Sequence, residues 1–141
     1  MKIEHALEPT EAQLNAILAT GKSGEVHMLN LLKFREFAAY EDGRDADMPG
    51  RDAYLHRYGA PMVEMVMKAG GSLKFSSVPS ALLVGEVEMP WDMVAIITYP
   101  SIKTLIDISM TPQFQEIAVH RKAGLEGQLL IPCFGEDTAI A

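Results

Sequence analysis

The chain has 141 residues and a mass of 15.5 kDa, the usual size of one domain. Hydrophobic residues make up 48 % of it and charged residues 22 %, so the chain can bury an ordinary core. Its formal charge of −7 argues against a nucleic-acid-binding protein and against a protein that binds anionic membranes, because both need a basic surface.

The sequence contains no motif for a metal, a cofactor or a disulfide. Cys133 is the only cysteine, and the four histidines show no HxH, HxxxH or HExxH spacing. No glycine-rich phosphate loop is present either. Because the chain shows neither a signal-peptide pattern nor a run of about eighteen apolar residues, we expect a soluble cytoplasmic protein that needs no cofactor.

The first part of the chain predicts a helix, a strand and a loop. Apolar residues at helical spacing indicate a helix over 9–20 that ends at Gly21. Residues 26–34 are typical of a long strand that is apolar, and therefore covered, on both faces. Residues 38–51 are polar and rich in Asp and Gly, so we expect an exposed, mobile loop whose length suits a lid.

A longer helix follows the loop. Asp52 is a typical N-cap residue, and apolar spacing continues to about Ala69, where Gly70-Gly71 ends the helix. Gly59 and Pro61 lie inside this helix, so we expect a kink there. The remaining predicted elements are two strands within 72–88 broken near Pro79, a strand over 93–99, helices over 102–109 and 113–124, a strand over 127–134 and a frayed tail over 135–141.

After the N-terminal helix, the order is strand, helix, strand, strand, helix, strand, which is the ferredoxin-like split β-α-β arrangement. We therefore predict an α+β fold in one domain, 1–141, with a core over 25–134, a four-stranded antiparallel sheet and an extra N-terminal helix. Two helices on one face of the sheet leave the other face bare. Since the strands are too apolar for that face to stay in water, we predict a homodimer.

Several short motifs resemble those of a known family. They are Met28-Leu-Asn-Leu-Leu-Lys-Phe34, Tyr54-x-x-x-Tyr58-Gly59, Gly70-Gly71, Trp91-Asp92, Tyr99-Pro100-Ser101, Pro112-x-Phe114, His120-Arg121 and Leu129-Leu-Ile131. In this order, over residues 25–133, they resemble the DUF 1330 family of the dimeric α+β barrel superfamily. The resemblance implies a barrel-shaped dimer in which two sheets meet, with a pocket between the sheet and the helices of each subunit. The wider superfamily includes cofactor-independent mono-oxygenases, haem-degrading enzymes, isomerases and effector-binding proteins, so fold alone does not choose a function.

Asn30 and Arg121 are polar residues that the pattern places on inward faces. An unpaired buried amide costs about 1–3 kcal/mol, so Asn30 needs a hydrogen-bonding partner from the protein, water or a ligand. The resemblance adds that related superfamily enzymes often use an Asn on the first strand to polarise a substrate oxygen. Arg121 continues the helical stripe of Phe114 and Ile117; it could bind a carboxylate or an enolate, form an ion pair, or extend its guanidinium into solvent.

His120 and three aromatic residues complete the candidate site. His120 could be a general acid or base oriented by Glu116, although a surface i,i+4 pair explains the spacing equally well. Tyr54 and Tyr58 share a helical face and could line a pocket or be plain core residues, and Trp91 is either a pocket wall or a packing residue. The predicted catalytic residues are thus Asn30, His120 and Arg121, and the predicted substrate-binding residues are Tyr54, Tyr58 and Trp91.

Together these features predict a homodimer that binds a small oxygenated molecule. One form of this hypothesis is a cofactor-independent enzyme, similar to an oxygenase or isomerase, in which Asn30 polarises an oxygen, Arg121 stabilises negative charge, and His120 or a Tyr moves a proton. The alternatives are a non-catalytic ligand-binding dimer and a structural dimer whose polar groups are satisfied internally. Neither a nucleic acid nor a membrane is expected as a partner.

Overall fold

The computed structural model describes residues 3–137 and 139–140. A four-stranded antiparallel sheet in the order β2-β3-β1-β4 forms its centre. The strands are β1 (Val26–Phe34), β2 (Ser72–Ser77), β3 (Met93–Tyr99) and β4 (Leu125–Phe134). This order is that of the ferredoxin-like fold, so the predicted α+β class and the four-stranded sheet are confirmed.

β1 occupies the predicted residues and alternates between two environments. Every second residue from Val26 to Phe34 is buried, and the residues between them are mostly partly exposed. The buried row packs with the helices in the main hydrophobic core. The other row points to the opposite face, which we call the outer sheet face. Cross-strand register places seven apolar residues on it: Leu29, Leu31, Phe75, Val94, Ile96, Leu129 and Ile131.

Three of the helices agree with the sequence-based prediction. The N-terminal helix α1 (Glu11–Ala19) begins with a capping box between Thr10 and Gln13. The helices α4 (Ile102–Ser109) and α5 (Pro112–Gly124) begin after Ser101 and Thr111, whose hydroxyls accept hydrogen bonds from backbone N–H groups of the first turn.

The long helix after the loop differs from the prediction at its start. It consists of α2 (Gly50–Asp52), a π-helical segment (Ala53–Gly59) and α3 (Ala60–Lys68), joined by residues in helical conformation. The N-cap at Asp52 is therefore wrong: Pro49 precedes the first turn, and Asp52 lies within the helix. The irregularity expected near Pro61 takes the form of the π-helical segment. Pro61 has no N–H to donate to the carbonyl four residues earlier, which favours a change in helical geometry there.

The second strand predicted within 72–88 is wrong. β2 ends at Ser77, and residues 78–92 form no strand in the described chain. Pro79, Gly85 and Pro90 interrupt this segment, and proline has no N–H to donate to a strand beside it. Most of its apolar side chains lie in solvent, with Leu83 98 % exposed.

β4 and the C-terminal tail also differ slightly from the prediction. β4 begins at Leu125 rather than at residue 127, because Leu125 pairs with Phe34 across a register shift in β1. In the tail, the Gly135 N–H donates a hydrogen bond of 2.9 Å to the Glu25 carbonyl. Residues 138 and 141 of the predicted frayed tail lie outside the described residues.

The loop over 38–51 is exposed only in part. Residues 41–47 are exposed as predicted, but Ala38 and Tyr40 are buried, so their predicted exposure is wrong. The loop is anchored to the end of α5, where the Ala39 N–H donates a 2.9 Å hydrogen bond to the Ala123 carbonyl. The idea that this loop is a mobile lid stays a prediction.

Candidate functional site

Asn30 is hydrogen-bonded on all sides inside the core. The side chain is 6 % exposed. Its Nδ2 donates to the Met28 carbonyl at 3.1 Å and to the Ala95 carbonyl at 3.5 Å. Its Oδ1 accepts a 2.8 Å hydrogen bond from Gln128 Nε2 on the neighbouring strand. The amide that sequence analysis identified as needing partners therefore finds them in the protein itself.

Gln128 extends this hydrogen-bonded line to Arg121. The Gln128 side chain is buried, and its Oε1 accepts a hydrogen bond from the Arg121 guanidinium at the end of α5. The structure thus brings Asn30 and Arg121 into one network and joins them through Gln128, which is not among the predicted site residues. Like Asn30, Gln128 is a polar residue within an apolar strand, and that signal could have found it.

Three buried tyrosines lie beside this network. Tyr54 and Tyr58 project from the π-helical segment with ring centroids 5.2 Å apart, and Tyr99 lies at the end of β3 in the same core cluster. All three are at least 91 % buried, since their exposed fractions are 8 %, 9 % and 4 %. From the sequence, Tyr99 is predicted only as the last residue of a strand and not as a site residue. We call Asn30, Tyr54, Tyr58, Tyr99, Arg121 and Gln128 the inner polar cluster.

The three phenol hydroxyls of this cluster have no hydrogen-bond partner among the described residues. Within residues 3–137 and 139–140, the fully enclosed polar side-chain atoms without a partner are Arg35 Nε and Trp91 Nε1. The phenol oxygens are not among them. Each of these oxygens therefore borders space that a water molecule can enter, although its ring is buried.

Burial raises the pKa of Tyr54, Tyr58 and Tyr99 above the usual range. Neighbouring phenols raise the pKa of Tyr54 and Tyr99 further, whereas the Arg121 charge acts in the opposite direction on Tyr54 and Tyr58. The hydroxyls stay protonated at neutral pH. They can therefore donate hydrogen bonds to an oxygen that enters the space they border.

His120 faces away from the inner polar cluster. Its Nδ1 lies 2.7 Å from the Tyr40 hydroxyl, and the two rings meet edge to face at 5.6 Å. Arg57 also donates to the Tyr40 hydroxyl at 3.1 Å and forms a 2.8 Å ion pair with Asp45. The described partner of His120 is thus Tyr40 of the 38–51 loop and not Glu116. The structure does not bring His120 together with Asn30 and Arg121.

Stability should fall below neutral pH in part because of His120. Burial, followed by the charges of Arg57 and Arg44, lowers the pKa of His120 in the folded chain. The unfolded chain then binds a proton more readily, so protonation below pH of about 6.5 favours unfolding. We expect His120→Gln to weaken the loss of unfolding free energy between neutral and mildly acidic pH.

Chemical denaturation at several pH values measures this effect. His56→Gln is the matched control, since the His56 side chain is 76 % exposed on the π-helical segment, and this variant should keep the wild-type pH dependence. An unchanged pH dependence in His120→Gln would contradict the lowered pKa of His120 in the folded chain.

Trp91 lies outside the inner polar cluster as well. Its ring stacks on His5 with centroids 6.1 Å apart, and the next residue, Asp92, accepts a 2.8 Å hydrogen bond from the Phe34 N–H. Asp92 also pairs with Lys33 at 3.3 Å. These contacts join the N-terminal segment and the end of β1, so the geometry supports the packing interpretation of Trp91.

Two cavities open on the surface, and no residue of the inner polar cluster lines either of them. One, of about 300 Å³, lies between the 38–51 loop and α5 and includes Tyr40 and Lys122 in its wall. The other, of about 660 Å³, lies at the end of β1 and includes Arg35 and Asp92. In the described part of the chain, no three His, Cys, Asp or Glu side chains come together as a metal ion would require. No helix of residues 3–137 and 139–140 has the length and apolarity to cross a membrane.

The chain matches no protein-family model and no curated protein. It is similar to the solved structure of the methylated RPA0582 protein, with a TM-score of 0.83 and 30 % identity over 94 % of this chain and 96 % of that one. It is also similar to the RPA0582 protein of unknown function from Rhodopseudomonas palustris, with a TM-score of 0.82 and 29 % identity over 93 % and 97 % of the two chains. A dimeric protein of unknown function with a ferredoxin-like fold from Bacteroides fragilis matches at a TM-score of 0.43, with 13 % identity over 79 % of this chain and 96 % of that one.

Proposed function

Since the chain belongs to the same family as the Rhodopseudomonas palustris RPA0582 protein, a protein of unknown function, the side chains must indicate the function, and we propose that this protein binds a small oxygenated molecule at its inner polar cluster. One observation carries the proposal. Three phenol hydroxyls lack a partner among the described residues, and their oxygens are not fully enclosed although the rings are buried. Buried polar groups are nearly always hydrogen-bonded, so a water or ligand oxygen is the expected partner.

The residues of the cluster suit different parts of such a ligand. Arg121 supplies a fixed positive charge, and Asn30 and Gln128 hold it in place through their hydrogen bonds. Tyr54 and Tyr58 supply hydroxyl donors near Arg121, and Tyr99 supplies a third hydroxyl near Tyr58. Partly buried apolar side chains of the main core, including Leu55, Met65, Phe114 and Ile117, supply the apolar surface that small-molecule sites use.

Removing the Tyr99 hydroxyl should weaken ligand binding without weakening the fold. Tyr99→Phe deletes a hydroxyl that makes no hydrogen bond in the described chain, so its unfolding free energy should stay within about 0.5 kcal/mol of the wild type. A lost ligand hydrogen bond of about 1 kcal/mol corresponds to roughly fivefold weaker binding. Ligand-observed NMR with phenol, benzoate, benzamide, butyrate and butyramide as probes measures the change.

Tyr40→Phe is the matched control for this experiment. It removes a hydroxyl that is hydrogen-bonded to His120 and Arg57 on the other side of α5. The control should lose stability and keep probe affinity, the reverse of the Tyr99→Phe result. Absence of binding by every probe, or equal effects of the two substitutions on affinity, would contradict the proposed site.

We also propose that the chain forms one domain and functions as a homodimer that buries the outer sheet face. The seven apolar residues of that face come from all four strands, and Phe75 and Ile131 are 52 % and 42 % exposed. An apolar surface on every strand of one sheet face is typical of an interface. A second copy of the chain would cover it through the same residues, as two-fold symmetry requires.

A charge on this face should separate the subunits. Ile131→Glu would place two carboxylates in the interface, and the cost of burying them should raise the dimer dissociation constant about a hundredfold or more. Sedimentation equilibrium measures the change. Met67→Glu, at a residue 63 % exposed on α3, is the control and should remain dimeric. A wild-type monomer, or an Ile131→Glu variant that dimerises normally, would contradict the interface.

The finer family assignment is also a proposal: membership in DUF 1330 and in the dimeric α+β barrel superfamily. Several of the motif residues have structural roles that support it. Gly70 has a positive φ of 91° at the end of the long helix, and Tyr99-Pro100-Ser101 ends β3 and caps α4. Proteins that share this fold need residues that end the same helix and strand and cap the same helix, so these roles support the assignment.

Catalysis without a cofactor is the second candidate function. The specific observation that favours it is the group of neutral phenol donors around Arg121, because such an arrangement stabilises negative charge that develops on a substrate oxygen. An isomerase or oxygenase would also need a group to move a proton, and His120 is held by Tyr40 on the other side of α5. The geometry therefore supports ligand binding better than turnover.

A further inference from the structure

Arg121 is a cation whose described contacts include no carboxylate. The chain carries nineteen Asp and Glu residues, yet among the described residues the Arg121 guanidinium donates only to the neutral amide of Gln128. Cations nearby do have carboxylate partners: Lys122 pairs with Glu8 at 2.6 Å, and Arg57 pairs with Asp45 at 2.8 Å. Arg35, Arg51 and Lys74 also have no ion pair among the described contacts, but Arg121 differs from them in donating to a side chain of the inner polar cluster.

The groups that face Arg121 leave its charge largely uncompensated. Tyr54 and Tyr58 are neutral, and Gln128 and Asn30 are amides. Glu8 lies at the surface and pairs with Lys122, which lowers the pKa of its carboxyl group; the Arg121 charge lowers that pKa to a smaller extent. The interior is thus locally positive although the whole chain has a formal charge of −7.

A guanidinium has five N–H donors, and one described hydrogen bond leaves several of them available. A partly buried guanidinium without a counter-charge is unfavourable, and an anion in the neighbouring accessible space would remove that cost. Arginine binds carboxylates with two parallel hydrogen bonds, which suits the planar fork of its donors.

We infer that the ligand of the inner polar cluster is a small monoanion with a carboxylate and a short apolar body, whose carboxylate binds Arg121 while the tyrosine hydroxyls donate to its oxygens. This inference rests on the proposed function and names the ligand class of that same site. One uncompensated cation matches one negative charge, so a monoanion fits better than a phosphate dianion. The apolar side chains of the core match the apolar body.

Matched pairs of probes test the charge separately from the pocket. Benzoate and benzamide have nearly the same shape, as do butyrate and butyramide, and only the first of each pair is charged at neutral pH. In the wild-type protein, each carboxylate should bind at least about tenfold more tightly than its amide, which corresponds to 1.4 kcal/mol. In Arg121→Gln that ratio should fall to about one, while the amide affinities stay close to those of the wild type.

Each outcome has a distinct meaning. Equal binding of carboxylate and amide by the wild-type protein would overturn the ligand class and leave the proposed binding site standing. Failure of all four probes to bind would contradict the proposed function as well. If Arg121→Gln does not fold, the wild-type ratio still decides, and Arg121→Lys, which keeps the charge, should retain a preference for the carboxylates.

Discussion

Replacing Gly50 with alanine is expected to destabilise the protein by about 3 kcal/mol, because a side chain at this position has no space. A Cβ atom there would lie 2.3 Å from the Arg35 carbonyl oxygen and 2.7 Å from the Gly124 carbonyl oxygen. Both obstacles are backbone atoms, so a flexible side chain cannot move aside to relieve the clash. The midpoint of thermal unfolding should fall by about 10 °C.

The contact that Gly50→Ala would disturb also positions the inner polar cluster. Gly50 and Gly124 bring the start of the long helix against the end of α5, and a Cβ atom at Gly124 would lie 2.5 Å from the Gly50 carbonyl oxygen. These two helices carry Tyr54 and Arg121, so the close contact fixes the distance between them. Calorimetry measures the fall in the midpoint of thermal unfolding of Gly50→Ala.

Gly24→Ala is the matched control for Gly50→Ala. No atom lies within 4 Å of a Cβ atom at Gly24, and its φ is not positive. Its unfolding free energy should stay within about 0.5 kcal/mol of the wild type. Equal stability of Gly50→Ala and Gly24→Ala would show that the two helices do not meet as closely as the structure places them.

The hydrogen bond between Asn30 and Gln128 should appear as a coupling free energy. Asn30→Leu leaves the Gln128 amide without its partner in the core, and Gln128→Met does the same to Asn30. Each single substitution should therefore destabilise the protein by about 2 kcal/mol, the usual effect of an unsatisfied buried polar group together with a lost hydrogen bond.

The double variant distinguishes this hydrogen bond from simple packing. With both amides replaced by apolar side chains, neither group is left unsatisfied, so the combined loss should be smaller than the sum of the single losses by at least about 1 kcal/mol. Denaturant unfolding of the four proteins in this cycle measures the coupling. Additive losses would mean that the two side chains act independently and that no connected line runs from Asn30 to Arg121.

Local patterns predicted most of the fold. The bounds of β1 and the helices that follow β3 depend on neighbours in the sequence, and the structure agrees with them. The errors arise where distant contacts decide. The helix begins at Gly50 rather than after Asp52 because that glycine packs against the end of α5. Residues 78–92 do not pair with the free side of β2, and Pro79, Gly85 and Pro90 interrupt the segment.

The candidate site was predictable in its parts and not in its arrangement. Asn30 and Arg121 stood out because each is a polar residue on an apolar face, and the structure joins them in one network. Sequence spacing could not show that Gln128 is the residue between them, since its position depends on the register of β4 against β1. Adjacent residues of α5 point in different directions, so Arg121 turns inward while His120 meets the 38–51 loop.

Native mass spectrometry of the wild-type protein, recorded before and after addition of benzoate and butyrate, tests most directly whether the inner polar cluster of a homodimer holds a small anion. We expect a species of about 31 kDa, twice the 15.5 kDa of one chain, that carries one small molecule per chain. A monomer, or a dimer that carries no added mass at any concentration of either probe, would contradict the proposed function.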